Sequence, residues 1–355
     1  MPTTPGGSCG WGGHDGRAGA DAGRRPVSQR QTVTTAARDL DILVVGEINP
    51  DIVVSDPDPR PVFGEVERLV RSVRMTVGSS SAIFACAAAR LELRVGFCGV
   101  VGDDPFGRFM LDELAGRGID VSACTVDPDR PTGASVIMSS ATDRAILTAV
   151  GAMGALDVSG VPRSLVDRAR HVHSGSFYLQ ASSRDRLPAF FAEAREHGLT
   201  TSFDTNWDPA ERWDGGVMDM LRASDVFFPN AIEARRIAGI DDVEAAAATL
   251  ASQGAMGRAD GGPIVAVKLG AAGALACRGD GPLVRVPAIA VEPVDTTGAG
   301  DSFNAGFLRA WLDGADLRDS LRLGAVCGAL STRAPGGVDG QATLAEARQA
   351  LASWP

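Results

Sequence analysis

Residues 295–308 read DTTGAGDSFNAGFL, and the fold turns on how this run is read. Three polar residues lead into Gly298-Ala299-Gly300, an acid follows at Asp301, and apolar residues then recur at helical spacing. Gly298 and Gly300 lack a Cβ, so their backbone admits a ligand at close range. The spacing after them predicts an amphipathic helix whose first amides have no partner inside the helix. Together with the helix dipole, those amides make an anion site suited to phosphate. Asp301 in that turn either caps the helix or works on what binds there. A purely structural acid would repel phosphate, whereas one that takes a proton from an attacking hydroxyl belongs beside it. On these ten or so residues alone, Asp295 and Asp301 also remain candidate N-caps.

Upstream of the run, apolar strands alternate with helical segments. LDILVVGEINPDIVV (40–54) is an apolar strand, a Gly turn and a polar insert at the strand's carboxyl end, where α/β sheets place ligands. SSSAIFACAAARLEL (79–93) starts on serine and continues small and apolar, which predicts a capped, tightly packed helix. RVGFCGVVG (94–102) is a strand, and DPFGRFMLDELAGRG (104–118) a helix that ends in Gly. HVHSGSF, TTSFDTN, DVFFPN and PIVAVKLG read as further strands, spaced by helical segments such as SRDRLPAFFAEAREHG. Past residue 295 the pattern is almost wholly helical. Such alternation implies an α/β fold with a mostly parallel central sheet and helices on both faces. Two β-rich insertions, near 50–77 and 123–150, do not fit that layer. They include VFGEVERLVRSVRMTVG (62–78) and PTGASVIMSSATDRAILTAVGA (131–152). They are expected to pair into a small separate sheet that serves as a lid over the polar strand ends.

Composition narrows the partners. The chain has 355 residues, 45% apolar and 22% charged, an ordinary globular balance. Residues 1–39 are Gly-, Arg- and Asp-rich without a core or a signal-peptide h-region, and are expected to be a disordered tail before one domain at 40–355. A net charge of −10 argues against nucleic acid, though it leaves room for a phosphorylated ligand in a locally positive pocket. The basic residues are arginine apart from Lys268. Six scattered cysteines form no C-x-x-C pair, the pattern of buried thiols in a reducing cytosol. His171 and His173 alternate on a strand and His197 follows a helix; none has acids or cysteines at ligand spacing, so no zinc site is read there. No apolar run is long enough to span a membrane.

DTTGAGDSFNAGFL resembles, residue for residue, the C-terminal signature of the ribokinase-like (PfkB) carbohydrate kinases. The resemblance runs over about 40–352 and implies a three-layer α/β/α sandwich with a β-sheet lid. It implies transfer of a phosphoryl group from ATP to a hydroxyl of a sugar or related small molecule. Asp301 would be the catalytic base, and the amides of Gly298, Ala299, Gly300 and Asp301 the anion hole. Asp295 and Thr297 fall where cation-activated members hold a monovalent ion such as K+. GEINPD resembles the family's first strand end, where Asn49 and Asp51 would grip sugar hydroxyls, a task that suits an amide and a carboxylate on one turn. VGSSSAIFACAAARLELRVGFCGVVGDDPFG resembles the N-terminal signature with two departures. The family's Gly-Gly pair, placed against the substrate, is Gly78-Ser79 here, and the Asn that contacts substrate falls on Ile83, so no ribose or fructose preference carries over. Ser79, Ser80 and Ser81 supply substitute hydroxyls, or cap the helix. FDTNWDPAERW places Asp204 and Asn206 at the cleft. FFPNAIEA carries Asn230-x-x-Glu233, whose acid organises Mg2+ through water; one acid is enough for an ion that keeps most of its water, although N-x-x-E alone is usually a helix cap. VKLGAAGAL matches the edge that supports the nucleotide through Gly270 and Gly273, with Lys268 toward phosphate or solvent. STRAPGGV (331–338) lies where the family closes the adenine pocket and the cation loop.

The expectation is therefore a cytosolic, Mg2+- and ATP-dependent sugar kinase, with dimerisation through lid strands as in its relatives. The rivals are a nucleoside kinase of the same fold and a catalytically silent sugar- or nucleotide-binding regulator, which would have no need of Asp301. A Rossmann dehydrogenase is disfavoured because VVGEINPD lacks G-x-G-x-x-G.

Overall fold

A computed structural model of the chain describes residues 38–140 and 144–354; the tail expected before residue 40 lies outside the described residues up to position 37. The domain opens with β1 (Leu40–Val45), whose six residues are all buried. A strand covered on both faces reads as a continuous apolar run rather than an alternating one. The chain then leaves the central layer for β2 (Pro50–Ser55) and β3 (Ser72–Val77). The intervening 62–71 is not a strand, contrary to its alternating pattern. It follows Pro57, Pro59 and Pro61 and leaves Phe63 and Leu69 exposed, so it has neither a ladder partner nor a face to bury.

α1 (Ser80–Arg90) returns to the core; its Ser79 cap accepts from the Ala82 N–H, and eight of its residues are buried. β4 (Val95–Cys98) lies beside β1. β5 (Val100–Gly102) pairs instead with β6 (Thr125–Asp127) across α2 (Pro105–Gly116), which Asp104 caps with Pro105 in the first turn. The second insertion thus reaches the separate sheet only from residue 134, because 125–127 is held at β5. β7 (Ala134–Ser139) and β8 (Arg144–Ala149) form a hairpin, and the second sheet runs β3-β2-β7-β8 with β2 parallel to β7.

After the short α3 (Arg163–Val166), strand and helix alternate as expected: β9 (Ala169–Ser174), α4 (Leu187–Glu196), β10 (Thr200–Phe203), α5 (Val217–Ala223), β11 (Val226–Phe227), α6 (Ala231–Ala238), α7 (Val243–Ala255) and β12 (Ile264–Lys268). β13 (Ala274–Arg278) and β14 (Val284–Val286) close one edge antiparallel. α8 (Ala299–Leu312), α9 (Leu317–Ser331) and α10 (Leu344–Ser353) end the chain. The eight-stranded sheet has the order β14-β13-β12-β11-β10-β9-β1-β4. Two apolar clusters flank it: α1, α8 and α9 build one, and α4, α5 and α7 the other. The result is the expected α/β/α sandwich, with the carboxyl ends of β1, β9, β10, β11 and β12 on one edge of the sheet and the four-stranded sheet as a separate small layer. His171 and His173 are buried on β9, both within reach of the Ser202 hydroxyl, and His173 stacks on Phe84. Burial drives both imidazoles below their ordinary range, His173 to about 3, so they are neutral core residues.

Candidate active site

The carboxyl edge of the sheet opens into a cavity of about 550 Å³. Each central strand delivers its polar residues just past its last buried position. β1 supplies Glu47 and Asn49, β9 Ser176, β10 Asp204 and Asn206, β11 Asn230 and Glu233, and β12 Lys268 and Gly270. α8 brings Gly298, Gly300 and Asp301 to the same cavity, and the second sheet covers it with Asp51, Ser135, Ile137, Ile146 and Thr148.

The question posed by DTTGAGD has a geometric answer. The N-cap of α8 is Gly298, at φ 71°, and no side chain caps the helix. Asp301 sits in the first turn without a capping role. A Cβ on Gly298 would stand 2.7 Å from the Gly337 carbonyl and from Ile83, so glycine is needed for conformation and space alike. The first bond of the helix ladder runs from the Ser302 N–H to the Gly298 carbonyl. Of the earlier amides, that of Ala299 donates to Thr296 O at 3.3 Å, leaving the Gly300 and Asp301 amides at the helix mouth. Burial, then the charge of Asp204, pushes the Asp301 carboxyl well above the carboxylate range, against the pull of Lys268 and the Ser80 hydroxyl.

Asp204 and Lys268 form a buried ion pair, Nζ to Oδ2 2.5 Å. The Asn304 amide donates to the same oxygen at 2.8 Å, and the Asn206 N–H to Oδ1 at 2.9 Å. Burial opposes the charge on both, but each holds the other ionised: Asp204 below its ordinary range and Lys268 above. Lys268, the chain's one lysine, is thus neither solvated nor directed at a ligand alone. Asn304 lies one helical turn past Asp301, and i, i+3 spacing puts both on one face; that spacing was the available signal for it. Glu233 completes a capping box with Asn230: its carboxylate accepts from the Asn230 N–H at 2.8 Å and side-chain amide at 2.6 Å, while Asn230 Oδ1 accepts from Ile232 and Glu233. N-x-x-E is a cap here and also lines the cavity. Burial, then the charge of Asp204, raises Glu233 to about 7.

On the side of the second sheet, Asn49 donates to Pro50 O and, at 3.5 Å, to Ser135 Oγ. Asp51 is buried beside Gly78, where a Cβ would fall 2.2 Å from its Oδ1. Gly78 therefore makes room for Asp51 and does not line the cavity itself. Ser79 lines it, yet its hydroxyl is engaged at the helix start, donating to Glu47 O at 2.6 Å and accepting from Ala82. Ser80 turns toward Asn206, whose amide also reaches Ser176 Oγ at 3.2 Å. Ser176 and Asn206 both adopt left-handed backbone, at φ 49° and 55°, strain of the kind that collects at functional sites. Glu47, Ser135, Thr148 and Ser176 escaped sequence reading, since a lone Ser, Thr or Glu beside a turn carries no motif.

A second cavity, of about 570 Å³ and mostly apolar, adjoins the first, sharing Lys268, Gly270, Thr296 and Gly300. Gly273, Ala288–Val291, Ala299, Phe303, Ala329 and Thr332 line it. The helix mouth of α8 thus lies between a polar chamber and an apolar one. Asp295 and Thr297 stand beside that mouth: Asp295 accepts from Thr297 N–H and Oγ1 and from the Gly336 N–H, tying the 295–297 turn to the loop after α9.

The model of pfkB family carbohydrate kinases matches residues 39–344. A 2-dehydro-3-deoxygluconokinase of Bacillus subtilis is 32% identical over 281 residues, 76% of this chain and 83% of that protein. An ATP-dependent ribose-1-phosphate kinase of Halopiger xanaduensis is 31% identical over 291 residues, 82% and 91% of the two chains. Arabidopsis thaliana ribokinase, solved with ribose and ATP, has the same fold, with a TM-score of 0.75 at 22% identity over 89% of this chain and 99% of its own. A match over nearly the whole described domain, with relatives of over 30% identity, fixes the conclusion: the chain belongs to the pfkB family of carbohydrate kinases and is an ATP-dependent kinase of a sugar or sugar-like hydroxyl.

Proposed function

We propose that Asp301 is the general base of this kinase and that the sugar lies in the polar chamber with ATP in the apolar one. The observation that carries this reading is an uncapped helix mouth between the two chambers with a buried, proton-seeking acid in its first turn. The attacking hydroxyl gives its proton to Asp301, and the charge on the transferred phosphoryl group meets the Gly300 and Asp301 amides as it develops. Asn49 and Asp51 hold other hydroxyls of the sugar. The Asp204–Lys268 pair keeps a cation beside the helix mouth and a negative charge behind Asp301, which raises its basicity. Adenine lies among Ala288–Val291, Phe303 and Ala329, where it finds apolar cover. The second sheet acts as a lid that excludes water once both ligands are in.

Kinases of the family use ATP with Mg2+. The residues present fit that ion: among the described residues no cluster of three or more acids, histidines or cysteines forms a metal cage, and Mg2+ bound mainly by phosphate and water asks for none. Glu233 would hold its water shell, and the ion would neutralise charge between the β- and γ-phosphates. Asp295 and Thr297 are assigned to a K+ site that braces the 295–297 turn, which dependence of the rate on KCl over NaCl checks. The exposed Val73, Met75 and Leu147 of the second sheet support pairing with a second copy, and the free cysteines suit a reducing cytosol.

Asp301→Asn tests the reading. The expected result is a kcat lower by about 10²–10⁴-fold with MgATP affinity kept within about threefold, because the amide is isosteric and the helix mouth unchanged. Activity within tenfold of the parent enzyme would sink the assignment. Nucleosides form the second reading, favoured by the apolar wall of Ile137, Ile146, Met153 and Leu179 over the chamber. Coupled ADP release with sugars and nucleosides side by side separates the two.

A further inference from the structure

We propose that Asn304 is a positioning residue for phosphoryl transfer: through Asp204 it fixes where the Lys268 ammonium stands over the first turn of α8. The proposal rests on the reading of that turn as the place of transfer. It goes beyond that reading because Asn304 lines neither cavity and acts only through its neighbours.

Packing does not explain an amide at this position. Asn304 is fully buried, and its equally buried neighbours on α8, Phe303, Ala305, Phe307 and Leu308, belong to the apolar cluster. No group among the described residues donates to its buried Oδ1, and an unmet buried acceptor destabilises a core. A leucine here would remove that defect. The satisfied half of the amide has one contact, Nδ2 to Asp204 Oδ2 at 2.8 Å, on the same oxygen that takes Lys268 Nζ at 2.5 Å. That ammonium stands over the helix mouth, 3.5 Å from where a Cβ on Gly300 would lie. Asn304 follows Gly300 by four residues, so helical spacing puts both on one face. A ring of contacts therefore starts and ends on α8: Gly300, then Lys268 of β12, then Asp204 past β10, then Asn304. The sheet alone does not set this geometry. β11 separates β10 from β12, so no ladder fixes the distance between Asp204 and Lys268. The Asn206 N–H holds Asp204 Oδ1 at 2.9 Å, and Asn304 on Oδ2 stops the carboxylate from rotating about that bond. Without the amide, Asp204 and Lys268 still hold each other ionised, but the pair is free to move on the flexible lysine stem. A charge displaced by about 1 Å from a reacting group can lower a rate by about 100-fold.

The test uses the full-length enzyme, in which Lys268 is the one lysine, so 13C,15N-lysine labelling gives a single side-chain signal from the site. Turnover is read by ADP release with the best acceptor among ribose, fructose and 2-dehydro-3-deoxygluconate. Asn304→Leu keeps the volume and removes the donor. Its kcat is expected to fall by about 10–100-fold, with KM for acceptor and MgATP within about threefold of the parent and a Tm no lower. The Lys268 Cε and Nζ signals are expected to shift and broaden as the ammonium loses its fixed place. In an Asp204→Asn background the same substitution is expected to lower kcat by less than about threefold, because the group it acts through is gone. Asn304→Ala goes through the same measurements if the leucine variant does not fold, and loss of the fold in both would mark a structural residue and overturn the proposal. A Lys268 signal that stays at the parent position overturns it too, as does an equal loss of kcat in both backgrounds. The signal is read without turnover, so it decides the matter even where a variant or acceptor is inactive. An Asp301→Asn variant that stays active would sink the base assignment alone, whereas an unmoved Lys268 signal sinks only the role of Asn304.

Discussion

Ser79 stands at φ 66°, ψ 127°, backbone that glycine adopts freely and serine does not. The chain turns sharply from β3 into α1 at this position. Serine offsets part of the strain by capping α1 and bonding to Glu47 O. Replacing a serine N-cap with glycine costs only a few tenths of a kcal/mol, and relief of the backbone strain is worth about 1–2 kcal/mol. Ser79→Gly is therefore expected to stabilise the protein by about 1 kcal/mol, seen as a rise in Tm. A lower Tm would mean that the two hydroxyl bonds outweigh the strain. Asp301 is the contrasting residue. Its place in the first turn of α8 could be read from DTTGAGD alone, because glycine, acid and helix start are local features. Ser79 could be named from the chain but not understood, since a positive φ leaves no mark on a serine in sequence.

α6 shows how one element serves two ends. Its capping box requires Glu233, and the same carboxyl faces the cavity with a pKa near 7. The group's folded value lies above its ordinary 4.5, so the folded state retains a proton that the unfolded state has lost between these two pH values. Stability from this source is therefore present at low pH and declines as pH rises through that window. Glu233→Gln keeps the box, which tolerates glutamine, and removes the titration. Without Mg2+ the variant is expected to match the parent near pH 4.5 and to exceed it by on the order of 1 kcal/mol above pH 7. Thermal melts at the two pH values check this, and a less stable variant at high pH without Mg2+ would contradict it. The strands of the second sheet were partly legible as alternating segments. Residues 62–71 show the limit of alternation: a pattern with no neighbour to pair is not a strand. At 125–127 the pattern did form a strand, but β5 captured it in a different sheet.

Across the molecule, the central sheet is packed between two apolar clusters and the second sheet covers the cavity from one side. The sandwich is the more buried part, and β8 and the outer β3 the more exposed one. Sugar together with an ATP analogue is expected to slow amide exchange in 134–139 and 144–149 severalfold and to leave β9 to β11 unchanged. Equal protection with and without ligands would argue against a lid. The α/β class, the order of strand and helix, and the glycine turn with an acid at the start of α8 were all legible in the chain, because each depends on periodicity or on a few adjacent residues. The pairing of Lys268 with Asp204, the plugging of the α1 end by Glu47, and the bond of the Ser79 hydroxyl to the Glu47 carbonyl were not. These join residues 32 to 64 positions apart and depend on which strands lie side by side. Local chemistry therefore names the reaction, while the cavity itself exists only once the sheet edge has gathered residues from five strands and α8 in one place.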